Sequence, residues 1–405
     1  MFIQSDRLID GTGVPPVAAP VLEVNAGKIV AVHAGGAPPG AEVLAFPGCT
    51  ILPGLIDTHV HLNLPGDGST LEEIVRESDG VLVATSAFNA MKALEAGITT
   101  VRDVGAARAT VFDLRRAMAL GHGSGARILA GAQPITITGG HTWYFGGEAD
   151  GPDALRRKVR EMHKQGADFI KVMATGGGTV GTMSWLPSFS LEELRAIADE
   201  AHRMDRKATA HCLCGQAIEW VTEAGFDQIE HGWFLTDAEG HQEFDPKIAE
   251  NVARAGIPVT GTLAVGGSVL KVLGAKAELT PLERRALDRW RSMFDVIMGV
   301  FRRMREAGVR YVAGTDAGWR YTPMDCLAME LALMHRGGMS AMDAIVSATG
   351  YAASVIGVAD RLGTLKPGLA ADLIVVPGNP LDDLAVLETP RLVMQAGRIM
   401  VQRPA

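Results

Sequence analysis

Cysteine is scarce in this chain. The 405 residues include four, Cys49, Cys212, Cys214 and Cys326. Their number and scatter do not make the disulfide framework of a small secreted domain. Two of them share the stretch HCLCG, a CxC and not a CxxC pair, and read as small residues on one face of a strand. Long hydrophobic runs are missing too: no apolar stretch approaches the roughly 20 residues of a membrane span. The amino-terminal MFIQSDRLIDGTG lacks the basic start and apolar run of a secretory signal. Positive charge is not in excess. Lys and Arg total 38 against 46 Asp and Glu, a formal net charge of −8, and no basic stripe stands out, which argues against nucleic acid. No glycine-rich dinucleotide turn follows a strand. The expectation left by these absences is a cytoplasmic globular protein that meets neither membrane nor nucleic acid.

What is present has two rhythms. The chain is 47% hydrophobic and 21% charged, and long enough for a large domain with a small one beside it. Residues 1–50 carry short β-rich runs, FIQSDRLID, VLEVNAGKIVAVH and AEVLAFPG, separated by turn residues. The carboxyl end repeats that pattern in ADLIVVPGNP and PRLVMQAGRIMVQ. Residues 1–50 and 366–405 are therefore expected to build one small β unit. Residues 51–365 instead alternate strand and helix. LPGLIDTHVHL, ITTVRDVG, ARILAGAQPITIT, ADFIKVMATGG, KATAHCL, FDQIEHG, IPVTGTLAV and VRYVAGTDAG are β-rich, and patterned helices such as PDALRRKVREMHKQG separate them. SLEELRAIADEAHRMD opens on a capping box, Ser190 with Glu193. About eight such βα units predict an α/β protein with a (β/α)8 TIM barrel; a doubly wound open sheet is the alternative.

In such a barrel the carboxyl ends of the strands face the active site. Taken in order, those ends carry His59 and His61, Asp103, His141 (in TGGHTWY), Lys171, His211, His231 and, on the eighth strand, Asp316. Side chains two apart on a strand share a face, so HVH can present His59 and His61 to one metal. Imidazole and carboxylate ligands suit zinc, manganese, iron or cobalt. Lys171 is the odd member. It stands between Ile170 and Val172 in ADFIKVMATGGG, and an ammonium is seldom buried without a partner. Alone, that window fits an edge strand whose lysine snorkels to water. Beside divalent metals a cation would be repelled, but a neutral, desolvated lysine can add CO2. The resulting carbamate is a carboxylate-like anion able to bridge two metals.

LPGLIDTHVH, TTVRDVG, TGGH, IKVMATGG, AHCLCG, IEHG, AGTDAG and GTLKPGLAADLIVV together resemble the amidohydrolase superfamily. More narrowly, they resemble its imidazolonepropionase-like and prolidase-like branch, which includes dipeptidases, N-acyl amino acid hydrolases and ochratoxin-type amide hydrolases. The resemblance covers nearly the whole chain. It implies a (β/α)8 barrel, a small β-sandwich made from both chain ends, and a binuclear metal centre, usually zinc. By motif, His59, His61 and Asp316 would hold one ion and His211 and His231 the other. Carboxylated Lys171 and a hydroxide would bridge them. The hydroxide would attack an amide carbonyl, Asp316 would pass its proton to the leaving amine, and His141 would hydrogen-bond the carbonyl or developing oxyanion. The same centre could hydrolyse a carbamate, urea, ester or lactone; a deaminase and a non-catalytic metal-binding protein are the rival readings. Imidazolonepropionases proper are similar but lack a bridging lysine, so Lys171 points away from that activity. Two departures bear on substrate. Relatives commonly follow GTDAG with a loop ending in His-Gly, whereas GTDAGWRYTPMD holds no histidine, and they often show AHAxG in place of AHCLCG.

Trp143, Tyr144, Trp185, Trp233, Trp319 and Tyr321 occupy the loops beyond the strand ends, where aromatics either line an apolar pocket or pack the loops. Arg320 is a candidate grip for a substrate carboxylate, or an exposed arginine. Asp103 is expected to orient a neighbour or cap a turn and not to bind metal. The expected partner is a small amide or peptide-like substrate, and a homo-oligomer is expected because barrel enzymes of this group often assemble.

Overall fold

Runs rich in Val, Ile and Ala, covered on both faces, make the short parallel strands of a closed ring. In the computed structural model Leu55–Val60, Ile98–Asp103 and Arg127–Ala130 pair in that order. Phe169–Met173, Lys207–Cys212, Gln228–His231, Val259–Thr260 and Tyr311–Val312 pair in turn, all parallel. Parallel bridges Ile135↔Val172 and Val60↔Ala317 join the two groups on either side. That closure makes a (β/α)8 barrel and excludes an open, doubly wound sheet. Residues 1–33 and 36–404 are described; residues 34–35 and 405, within the stretches expected to form the β unit, lie outside them.

The helices sit where their apolar stripes predict. Pro152–Gln165 buries Leu155, Val159 and Met162, one face of the helix, against the ring. Leu191–Arg203 starts on the expected capping box, with Ser190 and Glu193 each bonding the other's backbone N–H. One expectation is corrected here. IPVTGTLAV is not a strand throughout: it is strand only at Val259–Thr260, and Leu263–Gly274 is a helix. Thr262, at φ +47°, turns the chain, and the buried Glu330 carboxyl group accepts the N–H of Ala264 at 2.6 Å, capping the new helix. A second correction concerns the cysteines. Cys212 ends the fifth barrel strand, but Cys214 lies beyond it, preceding helix Gly215–Glu223; all four cysteines are buried and free.

Both chain ends build a terminal β-domain of one eight-stranded sheet. Its seam is Val43–Pro53, parallel to Phe2–Leu8 on one side and antiparallel to Leu373–Pro377 on the other. Ile3, Leu22, Ile51, Leu373 and Met394 form its apolar core. Gln395 reaches from this sheet to the barrel, donating to Thr99 O at 2.8 Å. No helix among the described residues is long and apolar enough to cross a membrane.

Candidate metal centre

The strand ends converge as their order predicts. His59, His61, His141, Lys171, His211, His231 and Asp316 all line one cavity of ≈ 340 Å³. Ring centroids lie 5.5 Å apart for His59 and His61, 5.1 Å for His59 and His231, and 4.5 Å for His211 and His231. Ligand-capable atoms of His59, His231 and Asp316 all fall within 4.8 Å of one another. Left-handed backbone at His231 (φ +69°) and Asp316 (φ +61°) departs from strand geometry at the two strand ends. Asp103 stays out of the cavity. Its carboxylate accepts the N–H groups of Leu62 (2.7 Å) and Gly105 (3.1 Å), and Gly105 O accepts from His61 Nδ1 at 3.0 Å. It orders the turn that orients His61.

The donor set fits a divalent cation. His59 Nδ1 faces Glu230 Oε2 (2.8 Å), His61 Nδ1 faces Gly105 O, and His211 Nε2 faces Gly176 O (3.1 Å). Carboxylates and carbonyls only accept, so each of those nitrogens carries the proton and the other ring nitrogen is bare, the form a metal needs. Asp316 Oδ1 lies 3.1 Å from His61 Nε2 and 3.5 Å from His59 Nε2, yet it receives no hydrogen bond among the described residues. A buried carboxylate oxygen without a donor, ringed by bare imidazole nitrogens, is the environment a cation completes.

Lys171 is 1% exposed. Burial pulls its ammonium down to about 8 against the opposing pull of Glu230 and Asp316, so the neutral amine that carbamate formation requires is accessible. The edge-strand alternative fails, since its strand pairs with Lys207–Cys212 and is buried at every residue. Burial also pulls the His141 imidazole down to about 3, which keeps it neutral.

Sequence reasoning missed the residues beneath the site. Glu230, fully buried, accepts from Arg102 Nη2 (2.6 Å) and Thr209 Oγ1 (2.5 Å) as well as from His59. Arg102 also donates to Thr58 O (2.6 Å) and Gln228 Oε1 (2.7 Å). Burial would raise the Glu230 carboxyl, but Arg102 and His59 hold it well below its usual range. Asp57 ties the first strand to the eighth, accepting from His59 N (3.1 Å), Thr315 N (3.1 Å) and Thr315 Oγ1 (2.6 Å). The available signal was charge inside apolar strands: Asp57 in GLIDTH, Arg102 in TTVRDVG and Glu230 in FDQIEHG.

Of the loop aromatics, Trp233 and Trp319 line the cavity, as does Arg320, whose Nη2 donates to Gly178 O at 3.2 Å. Trp143, Tyr144, Trp185 and Tyr321 are not among the lining residues. Trp143 is 39% exposed, Tyr144 packs on Phe145, Trp185 lines a separate crevice, and Tyr321 reaches Glu283 at 3.4 Å. Helix Leu263–Gly274 instead contributes Val265 and Val269, and helix Pro281–Glu306 contributes Arg289, Trp290 and Met293. Nothing local marks these positions, because their role depends on two helices folding over the barrel mouth. Asp316 is the one acidic residue lining the cavity among the described residues.

Comparison with known proteins agrees with this geometry. The model of the amidohydrolase family matches residues 50–400. Ochratoxinase of Aspergillus niger is 28% identical over 382 residues, covering 85% of this chain and 73% of its own. Imidazolonepropionase of Rhizobium rhizogenes is 23% identical over 367 residues, covering 83% and 80%. A crystal structure of a Xaa-Pro dipeptidase with methionine bound in the active site matches with a TM-score of 0.84 at 28% identity, covering 98% of each chain. The chain therefore belongs to the amidohydrolase family, in its imidazolonepropionase- and prolidase-like branch, and is a hydrolase acting on carbon–nitrogen bonds.

Proposed function

We propose that the chain hydrolyses the amide bond of an N-acyl amino acid, a dipeptide or an ochratoxin-like amide at a centre of two divalent metal ions, with zinc the expected metal. One observation carries the reading: His59, His61, Lys171, His211, His231 and Asp316 come from the ends of five barrel strands to line a single cavity. His59, His61 and Asp316 would hold one ion and His211 and His231 the other, with Lys171, carboxylated by CO2, shared between them. Ions bound there would lower the pKa of water and polarise the scissile carbonyl. The chain's own residues do the rest. Asp316 accepts the proton of the attacking water and returns it to the leaving nitrogen. His141 gives a hydrogen bond to the carbonyl oxygen as charge develops on it. Trp233, Trp290 and Trp319 hold apolar parts of the substrate and exclude water. Arg289 and Arg320 pair with a substrate carboxylate.

The likeness to an ochratoxinase and to a Xaa-Pro dipeptidase supports an amide of this kind. Four free cysteines suit a reducing, cytoplasmic setting, and we place the enzyme there as a homo-oligomer. The test is a screen of N-acyl amino acids, dipeptides and aryl amides, with carbamates, ureas, esters and lactones alongside. On the best amide, Lys171→Ala and Asp316→Asn should each lose about a thousandfold or more in kcat. Near wild-type activity of either variant in metal-replete protein would overturn the mechanism, and a clear preference for a carbamate, urea or ester would overturn the bond assignment.

A further inference from the structure

We propose that Thr179 sets the tautomer of His141, holding it as an Nε2–H donor for the substrate carbonyl oxygen. The proposal rests on the hydrolytic reading of the site and adds to it a positioning residue outside the metal-ligand set. Thr179 is 4% exposed, in the loop after the fourth barrel strand. Its Oγ1 accepts the N–H of Thr142 at 3.0 Å and lies 2.8 Å from His141 Nδ1. A hydroxyl has one proton and two lone pairs. Thr142 occupies one lone pair, so the proton needs an acceptor, and a buried donor left without one is costly. His141 Nδ1 is the remaining hydrogen-bond partner of that oxygen among the described residues; the buried Tyr144 hydroxyl, which also lies near Thr179, makes no hydrogen bond there. Were Nδ1 itself protonated, Thr179 would receive two N–H groups and its own proton would be stranded. If Nδ1 accepts, all three groups are satisfied, and the single N–H of the neutral ring falls on Nε2.

The contrast with the neighbouring histidines makes the assignment. His59, His61 and His211 are each anchored by an acceptor-only oxygen, so the anchored nitrogen is protonated and the other is bare for a metal. His141 is anchored by a hydroxyl whose lone pair is already engaged, which inverts the order. Nε2 makes no hydrogen bond among the described residues, and a Cβ at Gly177 would come within 2.5 Å of it, so glycine is what leaves this nitrogen open. The loop is held in place from within. Thr182 Oγ1 accepts from Gly177 N (3.1 Å) and donates to Thr179 O (2.8 Å), and Thr142, at φ +59°, turns its N–H onto Thr179.

The experiment is nitrogen NMR of histidine-labelled, metal-replete protein, assigned with His141→Asn, together with steady-state kinetics. His141 should show a protonated Nε2 and an unprotonated Nδ1. Thr179→Val keeps the volume but removes the donor. It should populate the other tautomer and lower kcat by about 10- to 100-fold, below the full loss of an oxyanion donor, with KM within about twofold. Thr179→Ser should restore both the spectrum and kcat. An Nδ1-protonated His141 in the wild type, a folded and metal-replete Thr179→Val with unchanged kcat, or a Thr179→Ser that fails to recover would each overturn the proposal. The spectrum is read without substrate, so failure of the tautomer assignment is separable from failure of the hydrolase reading, which would show as a wild type inert to every amide.

Discussion

The barrel and the terminal β-domain bury their strands in opposite ways. The core of the terminal sheet, with Ile3, Leu22, Ile51, Leu373 and Met394, is apolar. The barrel strands bury Asp57, His59, Arg102, Lys171 and Glu230, each at most 4% exposed. An apolar core stabilises through area removed from water. A buried ionic cluster adds little net stability, because desolvation offsets its attraction, but removing one member leaves an uncompensated charge. The difference teaches where each property resides: the sheet holds the ends of the chain, and the barrel interior orients the imidazoles of His59, His61 and His211 through acceptor-only oxygens.

Four substitutions would break or sharpen that contrast. Glu230→Gln should have the largest effect, since it leaves Arg102 without its carboxylate and weakens the hold on His59. A loss of about 3–5 kcal/mol in urea unfolding is expected, with metal affinity lower by about 10- to 100-fold in a chelator titration. Leu22→Ala in the terminal sheet should cost about 2–5 kcal/mol through the cavity it leaves, while metal content and kcat per folded molecule stay at the wild-type level. If that variant lost metal, the two regions would not be separable. Arg289→Met, next in size, should raise KM about tenfold for substrates with a free carboxylate, on the scale of one charge-assisted hydrogen bond, and leave neutral analogues unchanged.

Glu330→Gln should be the smallest at neutral pH and shows its effect in a slope. Burial raises the Glu330 carboxyl from 4.5 to about 8. Between those values the folded chain keeps a proton that the unfolded chain releases, so wild-type stability falls as pH rises through the window. The glutamine variant lacks that contribution and should gain on the wild type from about pH 5 to about pH 8 in thermal melts. A parallel pH dependence of the two would remove Glu330 from the account.

Much of the site was legible because polar residues on apolar strands are conspicuous. His59, His61, His211, His231 and Asp316 each end a β-rich run, and Lys171 interrupts one, so their convergence followed from the barrel. The supporting residues were not legible by the same logic. Glu230 precedes His231 and, by simple alternation, points to the other face; that it reaches His59 across the barrel depends on ring closure. Trp143 and Tyr144 looked like pocket residues from their loop, but the left-handed turn at Thr142 leads into the short 3-10 helix Trp143–Phe145, and neither lines the cavity. Arg289 and Trp290 carry no signal at all, since only the long excursion between the seventh and eighth strands brings them over the mouth. The seventh strand, Val259–Thr260, is shorter than its sequence suggests, because LAV fits a strand and a helix equally well over so short a run.

The central claim is that Lys171 makes this a two-metal centre. Metal analysis of protein purified with bicarbonate and divalent metal, together with carbon NMR after 13C-bicarbonate labelling, tests it most directly. The account expects about two ions per chain and a carbamate signal that Lys171→Ala abolishes. One ion per chain with an unmodified Lys171 would contradict it.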